Sequence, residues 1–231
     1  MKIVVLQDDF PPRPSGGAGS VSFSLAEAYA QHGHAVLVLT TSPNVEDVGE
    51  RDVTGFRVRT IFSKSPGRWR AYRSLYNPPA VAEVKKTLQS FKPDVVHAHN
   101  IHAHLSYAAL RAAKRSGARV ILTCHDVMPF NYGKLLGLLS PDDTAAPSSF
   151  DYRISPWRQL REQRLRYNPF RNIYIRHIFR NYVDCVVAVS DALAEALRQN
   201  GIPKATTIHN GIDVSLWVEK RSVTEKFKAK H

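Results

Sequence analysis

Polar side chains in this chain gather where short apolar runs stop. They include Asp8 and Asp9, Ser15-Gly16-Gly17-Ala18-Gly19, His97-Ala98-His99-Asn100, Thr123-Cys124-His125-Asp126, Ser190-Asp191 and His209-Asn210-Gly211. If the apolar runs are parallel strands, all of these lie along one edge, because an open parallel sheet binds ligands outside the carboxyl ends of its strands. The glycines between the first run and the first helix-like segment suit a phosphate cradle, where backbone N–H groups and a helix N-terminus face an anion. The same spacing suits a tight turn with positive φ, and spacing alone leaves both open. A dinucleotide fingerprint does not fit, since Ser22 occupies the place of the third glycine and Leu39-Thr40-Thr41-Ser42 offers no acid for a ribose. NAD is therefore not expected.

His125 ends a run that otherwise reads Val120-Ile121-Leu122, so its imidazole belongs at the ligand edge rather than in the core. A lone histidine is usually structural, but His97, His99, His102 and His104 come from the neighbouring unit and are placed to line the same crevice. Their spacing of two or three residues across a strand end is not the i, i+4 spacing that puts two metal ligands on one helical face. No metal is expected.

A third cluster is basic and aromatic. Arg153, Arg158, Arg161, Arg164, Arg166, Arg171, Arg176 and Arg180 alternate with Tyr152, Trp157, Tyr167, Phe170, Tyr174, Phe179 and Tyr182. Ile175, Ile178, Phe179 and Tyr182 follow helical spacing, which gives one packing stripe and leaves Arg176 and Arg180 a turn apart on another face. The plain reading is a solvated basic helix docked on the sheet. The functional reading is a cationic surface meeting anionic lipid headgroups, with Arg158, Arg161, Arg164, Arg176 and Arg180 as its charges. Nucleic acid would use the same ingredients; the membrane is the preferred reading, and no nucleic-acid partner is expected.

These residues need a scaffold that brings strand ends together. Strand-like runs occur at Lys2 to Leu6, Ala35 to Thr40, Phe56 to Ile61, Val95 to His97, Val120 to Thr123, Cys185 to Val189 and Thr206 to His209. Helical stripes lie between them: Val21, Leu25, Ala28 and Tyr29 before Gly33; Val81, Val84, Leu88 and Phe91 before Pro93; Leu105, Ala108, Ala109 and Ala112 before Gly117; Leu193 and Leu197 between Ser190 and Gly201. This alternation predicts an α/β domain with a doubly wound, mostly parallel, Rossmann-like sheet of about seven strands. Residues 127–182 are too long for an ordinary connection and are expected to form an insertion with some helix of its own. The lysine-rich stretch 218–231 reads as a linker or the start of a further domain, which leaves 1–217 as the folded unit.

Composition agrees with a globular domain of that size. The chain has 231 residues, 43% of them hydrophobic and 23% charged, enough apolar surface for a core without staples. Cys124 and Cys185 sit in strand-like runs and read as buried thiols of a reducing cytoplasm. Neither a signal peptide nor a run of roughly 18 apolar residues is present in this sequence, so contact with a membrane would be peripheral, at its inner face. A formal net charge of +12 favours anionic partners.

In order and spacing, six segments resemble one family: PPRPSGGAG, the helix ending in QHGHAVLVLT, PDVVHAHN, VILTCHD, DCVVAVSDALAEALRQNG and HNGID. Together they are similar to the N-terminal domain of retaining GT-B glycosyltransferases of family 4, over nearly the whole chain to about Trp217. The resemblance implies transfer of a sugar from a nucleotide-sugar, which is substrate rather than cofactor, to a glycan or lipid-linked acceptor of the cell envelope. It implies a cleft between two Rossmann-like domains and retained anomeric configuration without a metal. It places Gly16, Gly17, Ala18 and Gly19 near the donor phosphates and acceptor, His125 at the donor sugar, and Asn210 in the segment leading to the interdomain linker. His99, Asn100, Asp126 and Ser190 are grouped with them as substrate-binding candidates by their place at strand ends. The family's donor-binding half is outside this sequence, so these 231 residues are expected to be inactive alone. A lipid- or nucleic-acid-binding module and a nucleotide-sugar-modifying Rossmann enzyme are the rival classes.

Overall fold

The structure is a computed structural model that describes residues 1–64, 69–133, 150–164, 167–202 and 205–212. Eight strands form one sheet: β1 (Lys2–Leu6), β2 (Ala35–Ser42), β3 (Gly49–Val53), β4 (Phe56–Phe62), β5 (Val95–Ala98), β6 (Arg119–Cys124), β7 (Cys185–Ala188) and β8 (Ala205–Thr207). The spatial order is β3-β4-β2-β1-β5-β6-β7-β8. All neighbours are parallel except β3 and β4. The helices are α1 (Gly16–Gln31), α2 (Arg70–Arg73), α3 (Pro78–Phe91), α4 (Ala108–Arg115), α5 (Pro156–Gln163), α6 (Arg171–Tyr182) and α7 (Asp191–Gln199).

The alternation of β1 explains the two cores. Val4 and Leu6 face one side with Leu37 and Leu39, where α3, α4, α6 and α7 bring Val84, Leu110, Ile178 and Leu197 against them. Ile3 and Val5 face the other side with Val36 and Val38, and there α1 brings Ala26 and Phe23. Each such aliphatic side chain removed from water contributes about 1.5–3 kcal/mol, so the sheet is locked in register by its own pattern.

The expected seven parallel strands are all present, and the eighth, β3, is a correction. Gly49-Glu50-Arg51-Asp52-Val53 pairs antiparallel with β4 as an edge strand. Only Val53 is even partly buried, so no apolar signal marks it. Two further expectations change. Cys185 is exposed, because β7 begins at the rim of the sheet, while Cys124 is buried as expected. Within the stretch expected as an insertion, α6 is the crossover between β6 and β7, packed on the same face as α4, and it belongs to the basic winding of the fold. The boundary at 217, the stretch 218–231, Asp213 and Arg166 lie outside the described residues.

The first strand has β2 on one side and β5 on the other. The winding direction reverses there, and a crevice must open above the carboxyl ends of β1 and β5. No helix among the described residues is long and apolar enough to cross a membrane.

Candidate functional site

The crevice floor is built by Asp8. Immediately after β1 its carboxylate accepts backbone N–H groups from Ala103, at 2.6 Å, and Leu105, at 2.7 Å. Its carbonyl oxygen accepts the hydroxyls of Thr40 and Thr41 at the end of β2. Gln7 completes the tie by accepting the N–H of Asn100 through its side-chain oxygen at 3.0 Å. The turn after β5 is thus sewn to the end of β1. Burial pushes the Asp8 carboxyl up to about 7 against the lowering effect of the backbone N–H groups of Leu105, Ala103 and His104.

On that floor stands a row of histidines. His97 is 6% exposed and is held at both nitrogens, by the Tyr29 hydroxyl at 3.0 Å and the Thr123 hydroxyl at 2.8 Å. His99 lies beside it in a tilted pair with ring centroids 4.3 Å apart and reaches His125 through Nδ1 at 2.9 Å from Nε2. His102 lies 3.5 Å from Asp126, and His104 lies 3.3 Å from the Ser63 hydroxyl. Burial brings His97 and His102 down to about 4 and holds His99 well below its usual value. Burial also lowers His125, against a smaller opposing pull from Asp126. All are neutral near pH 7.

Of the histidines expected to line one crevice with His125, His97 and His99 stand in a row with it and His102 lies beside Asp126, and their expected exposure is corrected. His97, His99 and His102 are buried beneath the surface, whereas His125 and His104 are half-buried. Asp126 is occupied in part by the N–H of Met128 at 2.9 Å. Among the described residues no group of three or more His, Cys, Asp or Glu is placed to hold a metal ion.

The glycines form the first turn of α1 rather than a free loop, and each has its own reason. Gly16 has φ +61, where a side chain is strained. A Cβ on Gly19 would fall 2.2 Å from Ser15 Cβ and 2.9 Å from the Asp9 carbonyl oxygen, so this turn lies against the loop after β1. Gly17 has neither demand, with nothing within 4 Å of its Cβ position. Ser15 stands at the N-cap without a side-chain capping bond, and Ala18 follows on the half-buried side. The first-turn N–H groups have no partner within the helix, they carry the positive end of its dipole, and Gly16 and Gly17 are exposed. Of the two readings left open for this segment, the turn with positive φ is found at Gly16.

Asn100 is committed through its backbone to Gln7 and Asp8. Ser190 serves as the N-cap of α7 and accepts the Leu193 N–H at 3.2 Å. Asn210 is exposed on the far side of α1, at an open cleft of about 580 Å³ shared with Tyr29, Thr123 and Cys185. The basic surface is only partly as expected. Arg161, Arg164 and Arg180 are exposed, Arg158 is paired with Glu162 at 2.8 Å, and Arg176 is half-buried against Gly201. Arg171 is a correction to the picture of a solvated helix, because it is fully buried, donates to the Met128 carbonyl and lies over the Tyr132 ring. Its neighbour Asn172 donates to the Phe130 carbonyl at 2.7 Å, so α6 clamps the turn that follows His125.

Sequence reasoning noticed Asp8 but gave it no role, and it missed Tyr29 and Thr123 as partners of His97. The available signal was an acid directly after a wholly apolar strand. A hydroxyl partner leaves no signal in spacing.

The chain is similar to known proteins. The family described as Glycosyltransferase Family 4 matches residues 15–216. A glycogen synthase of Mycobacterium tuberculosis is 25% identical over 233 residues, covering 94% of this chain and 50% of that protein. A GDP-mannose-dependent alpha-mannosyltransferase of the same species is 25% identical over 215 residues, covering 93% and 48%. The solved sucrose-phosphate synthase of Thermosynechococcus elongatus superposes with a TM-score of 0.64 at 14% identity, covering 98% of this chain and 52% of that one. The chain spans about half the length of the curated relatives it matches.

Proposed function

The chain belongs to Glycosyltransferase Family 4, and from that premise we propose that it forms the acceptor-side half of an enzyme that moves a sugar from a nucleotide-sugar to an acceptor with retention. One observation carries the reading. The first turn of α1 follows β1, and His99 and His125 follow β5 and β6, so all of them stand past the carboxyl ends of strands at or next to the point where the winding of the sheet reverses.

Departure of a nucleoside diphosphate builds negative charge on phosphate and positive charge on the sugar ring, so the site needs fixed dipoles more than a strong base. The N–H groups of Gly16, Gly17 and Ala18 supply donors for the phosphate side, and Gly17 leaves space for an oxygen to approach. His125, neutral near pH 7, contacts the transferred sugar. Asn100 and Asp126 shape the wall beside it, and Ser190 and Asn210 lie toward the domain that would hold the nucleotide. Because that domain supplies most of the donor affinity, the 231 residues alone bind a nucleotide-sugar weakly and turn nothing over. The acceptor is a glycan or a lipid-linked group, reached from a peripheral position on an anionic membrane through Arg161, Arg164 and Arg180.

The test is transfer by a form that includes the donor-binding half, supplied with nucleotide-sugars in turn, with the product's anomeric configuration read by NMR. Release of nucleoside diphosphate with a retained product is expected. An inverted product, or tight NAD binding without any transfer, defeats the reading.

A further inference from the structure

The His99–His125 contact fixes more than the position of a ring. We propose that His99 sets the tautomer of His125, holding its proton on Nδ1 so that it offers an N–H donor, and not a lone pair, to the open side of the crevice.

A neutral imidazole has one N–H and one lone pair. Only one proton lies between His99 Nδ1 and His125 Nε2, 2.9 Å apart, and two arrangements are available. The remaining nitrogen of His99 chooses between them, because Nε2 is buried without a hydrogen-bond partner. If His125 donated, His99 would carry its proton on that orphan nitrogen, and a buried N–H without an acceptor is the defect that folded proteins avoid most strictly. If His99 donates, the orphan is only a buried lone pair. A doubly protonated His99 is excluded by its 2% exposure.

His99 therefore donates from Nδ1, and His125 accepts at Nε2. The proton of neutral His125 must then reside on Nδ1. Nδ1 has no hydrogen-bond partner among the described residues, and the ring is half-buried at the crevice edge. What it recognises is an oxygen acceptor, such as a sugar hydroxyl or a phosphate oxygen. His99 is in this sense a positioning residue. The tautomer stands on the structure alone, whereas its use toward a transferred sugar rests on the function proposed above.

Histidine-labelled full chain, with long-range proton–nitrogen NMR at near-neutral pH, reads both nitrogens of His125 directly. Its resonances are assigned by their loss in His125→Gln. The expected wild-type spectrum has Nδ1 of the protonated type and Nε2 of the bare type. In His99→Phe, which keeps a ring but removes the donor, His125 is expected to relax toward the Nε2–H form that free histidine prefers. A wild-type His125 protonated at Nε2 overturns the proposal. A folded His99→Phe that keeps the Nδ1–H form overturns the part given to His99, and if that variant does not fold the wild-type spectrum decides. The predicted tautomer in a protein that transfers no sugar would leave this inference standing and sink the functional one.

Discussion

The backbone N–H of Leu105 donates to Asp8 Oδ1 at 2.7 Å, joining residues 97 apart in sequence. With the parallel bond from Ala103, it makes one carboxylate the anchor of the whole turn that carries His99, His102 and His104. The geometry of the histidine row therefore depends on a group that touches none of the expected substrate.

This anchor titrates in a useful range. Burial raises Asp8 from its ordinary 3.8 to about 7, so the folded protein binds more protons than the unfolded chain between those values. Its contribution is full below about 3.8 and is lost as pH rises toward about 7, at up to roughly 1.4 kcal/mol per pH unit. Asp8→Asn cannot titrate. Urea midpoints measured from about pH 4 to about pH 8 are expected to show the wild type losing ground to Asp8→Asn up to about 7, then a constant gap. A gap independent of pH means that Asp8 is ionised throughout.

Gly17 and Gly19 separate binding from folding. Gly19→Ala drives a Cβ into Ser15 and the Asp9 carbonyl and is expected to destabilise by about 1–3 kcal/mol. Gly17→Ala meets nothing within 4 Å. Placed in a helix, it is expected to hold or raise the melting temperature, by about 0.5–1 kcal/mol in stability, while weakening nucleotide-sugar binding in a form with both halves. Unchanged donor affinity in Gly17→Ala would remove this turn from the phosphate site.

Arg171 is expected to act on stability alone. Arg171→Leu leaves the Met128 carbonyl without its donor, a loss of about 1–3 kcal/mol, whereas Arg180→Leu, on an exposed site, should change stability by less than about 0.5 kcal/mol. Chemical denaturation of both variants checks the contrast, and equal losses would refute the clamp.

Much of this was legible from the amino acids because strand and helix periods differ. The continuous apolar run in Lys2–Leu6, dry on both faces, and the one-sided stripe of Val81, Val84 and Leu88 each follow from which faces must be dry. The carboxyl-edge location of Gly16 and His125 follows from the topology. What stayed hidden has physical causes. Strand β3 is an exposed edge held by backbone pairing, which leaves no side-chain pattern. The burial of Arg171 depends on a carbonyl 43 residues away, and an arginine-rich stretch reads as solvated until that partner is seen. His99 looked like a surface ligand for the same reason, since only the fold reveals that His125 covers it.

The exposed aromatic and basic side chains of α5 make a separate prediction. Trp157 is 79% exposed, with Arg161 one turn along the helix. Association with anionic vesicles is expected, reduced by salt through screening, and lowered further in Trp157→Ala and Arg161→Glu. Sedimentation with neutral and anionic vesicles at low salt checks this, and equal binding to both would count against a membrane role.

His125 carries the sharpest expectation. If the ring contacts the transferred sugar, its gain must come mainly in the transition state, when the sugar becomes cationic and its hydroxyls bond more strongly to a positioned N–H. Substitution should then lower turnover more than binding. In a form carrying both halves, His125→Ala is expected to fold normally, since the ring is half-buried and its one bond is to His99, and to lose about a hundredfold or more in kcat, the scale of one lost electrostatic partner. His32→Ala is the control, because that ring is exposed at the other end of α1 and, among the described residues, is bonded only to the Ala28 carbonyl at 2.8 Å. It should stay near wild type. If His125→Ala is as active and as stable as His32→Ala, the ring is structural and the site must be sought elsewhere on the crevice.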